Sequence, residues 1–224
     1  MTVLPDIVVL FDVDNTLLDN DFVQADLRRH LTENFGEAVN ARYWAHYDAL
    51  FKELGYADYL GAVQRLRRDD PHDLRLLSIG GFLLEYPYAE RLYPGALAAL
   101  GFARQWGPSA LLSDGEAVFQ PRKLERAGLS AAVHGEVMIF IHKELELDEI
   151  ARRYPARHYV MIDDKLRILD AMKRGWGERI TTIFVRQGHY ALDPKIVAAY
   201  PPADITIAAI GDLPTVNLPR RRPA

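Results

Sequence analysis

Residues 7–21, IVVLFDVDNTLLDND, decide how the chain is read: five consecutive apolar residues run directly into Asp12 and Asp14, with one valine between them. An unpaired charge is costly in a low-dielectric interior, so a buried strand that ends on two carboxylates needs a compensating partner. Side chains two apart on a strand share a face, so a strand continuing through both acids aims them the same way. In an open α/β sheet the carboxyl end of such a strand opens on the crevice where ligands bind. Asn15 and Thr16 then begin a turn.

The same apolar signature recurs. SALLS at 109–113, HYVMI at 158–162, TTIFV at 181–185 and ADITIA at 203–208 read as further strands buried on both faces, and VMIFI at 137–141 as an edge strand. Helical patterns lie between several of them: ALAALGFARQW, EAVFQPRKLERAGL, DEIARRY and KLRILDAMKRG. That alternation predicts a Rossmann-like, doubly wound, mostly parallel α/β sheet.

One interval is too long. Asp12 and Ser113 are about 100 positions apart, whereas a βαβ unit needs about 30. The excess is not linker. In NDFVQADLRRHLTENFG, Val23, Leu27, Leu31 and Phe35 recur every four residues, with Asn20 or Asp21 as candidate N-cap, Asp19 and Asp21 read as caps of the preceding turn or of this helix, and Gly36 as a stop. ARYWAHYDALFKELG repeats the pattern, HDLRLLSIGGFLLEYP follows less regularly, and Gly80-Gly81 marks a helix break. The expected organisation is a core of residues 1–18 and 92–224 carrying a helical cap at 19–91.

Composition bounds the function. A 49% hydrophobic content supports a packed core, and a net charge of -4 from dispersed acids and bases offers no footprint for nucleic acid or an anionic membrane. With no cysteine, thiolate nucleophiles and thiolate metal sites are excluded and any metal must sit on oxygen or imidazole. No apolar run approaches the roughly 18 residues of a membrane span, and no secretory pattern stands at the start, so the expected location is cytoplasmic. The arginine-rich tail PRRRPA reads as a solvated terminus without a role.

Other strand ends add chemistry to Asp12 and Asp14. SALLSDG closes on Ser113, Asp114 and Gly115, a hydroxyl and backbone N–H groups suited to an oxyanion. HYVMIDD closes on Asp163 and Asp164, a second acid pair, and Lys143 follows VMIFI some twenty residues earlier. Lys123 is the competing lysine, but PRKLERAGL reads as a surface helix with its charge in solvent. No two histidines stand at metal-ligand spacing on a helix, and the stripe of Tyr43, Trp44, Tyr47 and Phe51 reads as core of the insertion.

This constellation resembles the haloacid dehalogenase superfamily of phosphatases and phosphotransferases. Asp12-Val13-Asp14-Asn15-Thr16 matches the first motif, DxDx[TV]; Ser113 ends the second, Lys143 fits the third and Asp163-Asp164 the fourth. The resemblance spans residues 7 to about 213 and implies the Rossmann-like core with a helical cap. It departs from the family where Glu144 and Lys165 follow the matched lysine and acid pair. It implies phosphoryl transfer in preference to dehalogenation, because halide-releasing relatives lack the second aspartate of the first motif.

In that likeness Asp12 is the nucleophile and forms an aspartyl-phosphate, while Asp14 protonates the leaving oxygen and then activates water. Ser113, Asp114 and Lys143 hold the phosphoryl group, and Mg²⁺ sits on Asp12, the Asp14 carbonyl and Asp164, with Asp163 beside it. The expected substrate is a small phosphorylated metabolite, read by cap residues such as Arg28, His46, Lys52 or Arg65. Rival expectations are a phosphomutase of the same superfamily, a phosphoacceptor signalling module and a catalytically idle binding protein.

Overall fold

The structure is a computed structural model that describes residues 4–218; the PRRRPA tail, at 219–224, lies outside the described residues. The chain begins with β1 (Ile7–Phe11) and then runs through α1 (Asn20–Phe35), α2 (Glu37–Leu54), α3 (Tyr59–Asp69) and α4 (Leu77–Glu85). It returns through α5 (Ala96–Ala103), β2 (Ser109–Asp114), α6 (Phe119–Arg126), α7 (Leu129–Ala132) and β3 (Val137–Phe140). There follow α8 (Leu147–Arg153), β4 (His158–Asp163), α9 (Leu166–Trp176), β5 (Ile180–Val185), α10 (Gly188–Leu192), α11 (Pro194–Val197) and β6 (Ile205–Ile207).

All strand pairs are parallel, in the order β3-β2-β1-β4-β5-β6, which confirms the α/β class and puts the VMIFI strand at an edge. The order reverses at β1: the chain first builds outward through β2 and β3, then crosses to β4 on the other side. That switch point opens the ligand crevice above the carboxyl ends of β2, β1 and β4.

The central strands β1, β2, β4 and β5 are buried on both faces, which is why they read as unbroken apolar runs, whereas the edge strands β3 and β6 are only partly covered, so ADITIA is not buried on both faces as its sequence suggests. Val9, Phe11, Leu111, Val160 and Ile162 pack into one cluster, whereas Val8, Leu10, Leu112, Tyr159 and Met161 pack into the other, on α9. Each such side chain contributes about 1.5–3 kcal/mol by leaving water. The first cluster also takes in Val23, Leu27, Leu31, Tyr43 and Leu66, so the inserted helices share one apolar body with the sheet.

Of the candidate caps of α1, Asp19 is the one used: its carboxylate accepts the Phe22 N–H at 2.9 Å, whereas Asn20 opens the helix and Asp21 lies in its first turn. Two local expectations change. Gly80 and Gly81 do not break a helix; they lie inside α4, where no neighbour stands within 4 Å of an added Cβ. Helix α3 has no counterpart in the sequence reading, because its third residue is glycine. Gly61 is needed there: the capping Asp58 carboxylate folds back to its N–H at 2.6 Å, leaving no space for a Cβ.

The chain enters and leaves the inserted helices side by side. Leu18 and Leu92 form an antiparallel bridge, the Asp19 N–H donates to the Arg91 carbonyl at 2.8 Å, and the Tyr93 N–H donates to the Leu17 carbonyl at 2.9 Å.

Candidate active site

Strand β1 ends one residue before Asp12, and the Asp12 N–H still donates to the Ile162 carbonyl of β4 at 2.9 Å, so this aspartate stays anchored to the sheet. Its carboxylate is buried and accepts the Thr16 hydroxyl at 2.9 Å and the Lys143 ammonium. Burial pushes the Asp12 carboxyl up, but the Lys143 and Lys165 charges outweigh it and leave it below the usual carboxylate value. A buried carboxylate held ionised by adjacent cations is a competent nucleophile.

Lys143 lies just beyond β3, nearly inaccessible, with its ammonium between Asp12 and Asp163 Oδ2, the latter at 2.8 Å, and within 3.2 Å of the Leu112 carbonyl. Burial alone would lower its affinity for a proton; the surrounding carboxylates reverse the shift and hold it firmly charged. Its N–H donates to Asp114 Oδ1 at 2.8 Å, which ties the Lys143 turn to the end of β2.

Asp163 and Asp164 are fully buried at the end of β4. Asp163 Oδ1 accepts the Lys165 N–H at 2.8 Å. Burial and the neighbouring Asp12 charge push the Asp163 carboxyl up to about 6. Asp164 is likewise pushed well up by burial, against the pull of Lys165, and neither of its side-chain oxygens accepts a hydrogen bond. One oxygen from each of Asp12, Asp163 and Asp164 falls within a 4.8 Å cluster. Two orphaned, buried oxygens beside two more carboxylates form a hard, all-oxygen donor set that fits a divalent cation such as Mg²⁺.

Asp14 stands apart from that cluster. Its carboxylate turns toward α6 and accepts the Lys123 ammonium on both oxygens, at 2.7 and 2.8 Å. Lys123 is therefore not a surface charge: it is completely buried and also donates to Asn20 Oδ1 at 3.1 Å. The two acids of the opening motif thus have separate partners, Lys143 for Asp12 and Lys123 for Asp14. Gln120, one turn before Lys123, donates to Ser113 Oγ at 2.8 Å and to Asp14 Oδ2 at 3.3 Å, bringing Ser113 to the same site.

The turn after Asp14 is fixed by Asn15, which adopts φ 64°. Its Oδ1 accepts the N–H groups of Asn20 and Asp21 at 3.0 and 3.2 Å, and its Nδ2 donates to Asp21 Oδ1 at 2.9 Å. Asp21 in turn accepts the His189 N–H at 2.8 Å and meets His189 Nδ1 at 2.7 Å. Gly188, at φ 69°, makes this fit possible, because a Cβ there would stand 2.4 Å from Asn15 Cβ.

A cavity of about 350 Å³ opens over the site between the inserted helices and the sheet. Asp14, Asp114 and Lys165 line it, as do Tyr47, Phe51 and Tyr56 of the insertion and Tyr190 and Tyr200 of the core. None of Arg28, His46, Lys52 and Arg65 lines it: Arg28 stacks on Trp44, His46 meets Asp69, and Arg65 pairs with Glu53. The cations at its wall are Lys165 and Arg167, with His142 and His189.

The residues that depart from the expected motifs have partners of their own. Lys165 stands 3.9 Å from Asp164 and over the Tyr190 ring, and its pull toward the charged form comes from Asp164, Asp12 and Asp163 overcoming burial. Glu144 pairs with Arg167. Sequence reasoning weighed Lys123 only as a rival for the third motif and set it aside as a surface charge, and it gave Gln120 and Lys165 no part in the site.

Comparison with known proteins agrees with this fold. The family model of the haloacid dehalogenase-like hydrolases matches residues 8–175. A solved haloacid dehalogenase-like hydrolase from Burkholderia xenovorans LB400 is 59% identical over 96% of this chain and 100% of its own, with a TM-score of 0.91. More distant structures share the fold. The HAD-hydrolase YfnB from Bacillus subtilis, solved with magnesium, is 17% identical over 93% of this chain and 97% of its own, at TM-score 0.60. The L-2-haloacid dehalogenase PA0810 is 18% identical over 95% and 99%, at TM-score 0.63. No curated protein is similar enough to count as a match. Motif order, sheet topology and a match over three-quarters of its length place this chain among the haloacid dehalogenase-like hydrolases.

Proposed function

We propose that this hydrolase is a Mg²⁺-dependent phosphatase that cleaves a small phosphorylated metabolite through an aspartyl-phosphate. The observation that carries this reading is the pairing of a buried, lysine-flanked Asp12 with an all-carboxylate cluster whose Asp164 oxygens lack partners. When bound by Asp12, Asp164 and the Asp14 carbonyl, with Asp163 beside them, Mg²⁺ would neutralise the carboxylates and draw charge from the phosphoryl oxygens.

An Asp12 oxygen attacks phosphorus and the ester P–O bond breaks; the departing oxygen takes a proton from Asp14, whose carboxylate, paired with Lys123 at rest, has first picked that proton up from water in the cavity. A water then attacks the same phosphorus and gives its proton to Asp14, and the bond between phosphorus and Asp12 breaks to free inorganic phosphate. Ser113 Oγ and the Asp114 backbone N–H hold the non-bridging oxygens, and Lys143, whose ammonium rests on Asp12 and Asp163, would turn to them once a cation neutralises those carboxylates; the Gly115 N–H is already spent on the Phe140 carbonyl at 2.9 Å. The inserted helices act as a cap that excludes water and contacts the leaving group through Tyr47, Phe51 and Tyr56. The substrate is a diffusible small molecule, neither nucleic acid nor membrane lipid, and the site of action is the cytoplasm.

The presence of Asp14, within reach of the cavity, supports phosphate-ester cleavage over halide release, which needs no proton donor for its leaving group. The test is phosphate release from a panel of phosphorylated metabolites with Mg²⁺ and with chelator, alongside halide release from 2-haloacids. Phosphate release that requires metal and vanishes in Asp12→Asn is expected. Metal-independent release, full activity in the variant, or halide release alone would sink the proposal.

A further inference from the structure

We propose that Lys123 is the positioning residue for Asp14: its buried ammonium holds both carboxylate oxygens in place and ties them to the inserted helices. The chemistry of its test rests on the phosphatase reading, but the geometry does not. An ammonium has three donors. Lys123 directs two at the Asp14 oxygens, at 2.7 and 2.8 Å, and one at Asn20 Oδ1, at 3.1 Å. Gln120, on the same face of α6, reaches Asp14 Oδ2 and Ser113 Oγ. The carboxylate is therefore gripped from one side by α6 while its other side faces the cavity.

The grip extends into the insertion. Asn20, whose Oδ1 takes the third ammonium donor, gives its Nδ2 to the Tyr59 hydroxyl at 3.2 Å. Gln24 donates to the same hydroxyl at 2.9 Å, and the Tyr59 ring packs on Phe119 of α6 at 5.0 Å. One cation thus joins the proposed proton carrier, the start of α1 and the face of α3. A fully buried ammonium without a partner would be severely penalised, so the fold that buries Lys123 requires the Asp14 carboxylate in this place. Lys143 cannot substitute, because its donors are committed to Asp12, Asp163 and the Leu112 carbonyl.

Lys123→Met keeps the length of the side chain and deletes the cation. The wild type and the variant would be compared, with Mg²⁺, on an alkyl monophosphate, whose leaving oxygen needs a proton, and on p-nitrophenyl phosphate, whose phenolate leaves unaided. The expected result on the alkyl ester is a loss of about 100-fold in kcat with KM within about threefold, as for a misplaced proton donor. The first-turnover burst of p-nitrophenolate should stay within about threefold of wild type, because that step does not call on Asp14. Equal losses on both esters, or an unchanged alkyl rate, would overturn the role.

If Lys123→Met does not fold, Asn20→Ala removes the third ammonium bond together with the bond to the Tyr59 hydroxyl but leaves the two bonds to Asp14, and a smaller loss confined to the alkyl ester is expected; equal effects on the alkyl rate and on the p-nitrophenolate burst overturn the proposal. If the wild type hydrolyses no phosphate ester, the phosphatase reading fails. The crystal structure of the folded variant then decides the positioning role. An Asp14 carboxylate displaced by about 1 Å or more supports it, and one left in place refutes it.

Discussion

Lys143→Met offers the sharpest test of the electrostatic account of the site. The Lys143 ammonium is the cation shared by Asp12 and Asp163, and Asp164 lies in the same 4.8 Å cluster. Methionine fills a similar volume but leaves three buried carboxyl groups facing one another, with Lys165 the one cation near them among the described residues, 3.9 Å from Asp164. Removing one partner of a buried ion pair costs about 3–5 kcal/mol. For a chain of this size each kcal/mol moves Tm by roughly 2–4 °C, so the metal-free variant should melt roughly 6–20 °C below the metal-free wild type.

The deficit should depend on pH with a definite sign. Burial and Asp12 already lift the Asp163 carboxyl to about 6, and deleting Lys143 removes a group that pulls it down. Between the unfolded value of 3.8 and the raised native value, the native state binds more protons than the unfolded one, so stability falls as pH rises. The gap between variant and wild type should therefore be smaller near about pH 5 than near about pH 8, and excess Mg²⁺ should narrow it at the higher pH. Thermal melts followed by circular dichroism, in chelator and in Mg²⁺, measure all four conditions. A metal-free variant melting within about 2 °C of wild type at both pH values would refute the reasoning.

Two further outcomes follow from the same geometry. Gly188→Ala should destabilise the protein by about 1–3 kcal/mol and lower kcat/KM, because its Cβ would strike Asn15 and its φ of 69° disfavours alanine; urea unfolding within about 0.5 kcal/mol of wild type would contradict this. The Mg²⁺ dissociation constant should rise steadily as pH falls from about 8 to about 5, since the metal must displace protons from the raised carboxyls of Asp163 and Asp164; a flat calorimetric titration across that range would contradict it.

Much of the framework was legible in the sequence because the informative residues sit at strand ends. A strand buried on both faces must be apolar throughout, so the first charged residue after each run is conspicuous, and Asp12, Ser113, Lys143, Asp163 and Asp164 all follow such runs. Those residues converge because parallel strands present the same end to one edge. Lys123 was illegible for the opposite reason. Helix α6 carries Arg122, Lys123 and Arg126 close together, and which of them turns inward is decided by Asp14, 109 positions away. The pairing of Arg122 and Arg126 with Glu85 is equally non-local. Helix α3 was hidden by a glycine that its own cap demands, and α4 by glycines on a surface where nothing crowds them.

The paired segments at Leu18 and Leu92 bear on mechanics. Two independent flexible linkers would let the inserted helices swing, slide and rotate; a short hydrogen-bonded ribbon allows bending across its width but resists shear along its length. A ribbon of this kind would favour tilting of the insertion over sliding or rotation. Asp14 and Asn15 lie within a few residues of that ribbon on the same stretch of chain, so any tilt is felt first by the carboxylate that Lys123 holds. Opening the cavity and loosening the Asp14 grip would then be one movement, and an enzyme built this way would arm its proton carrier only when its mouth is shut.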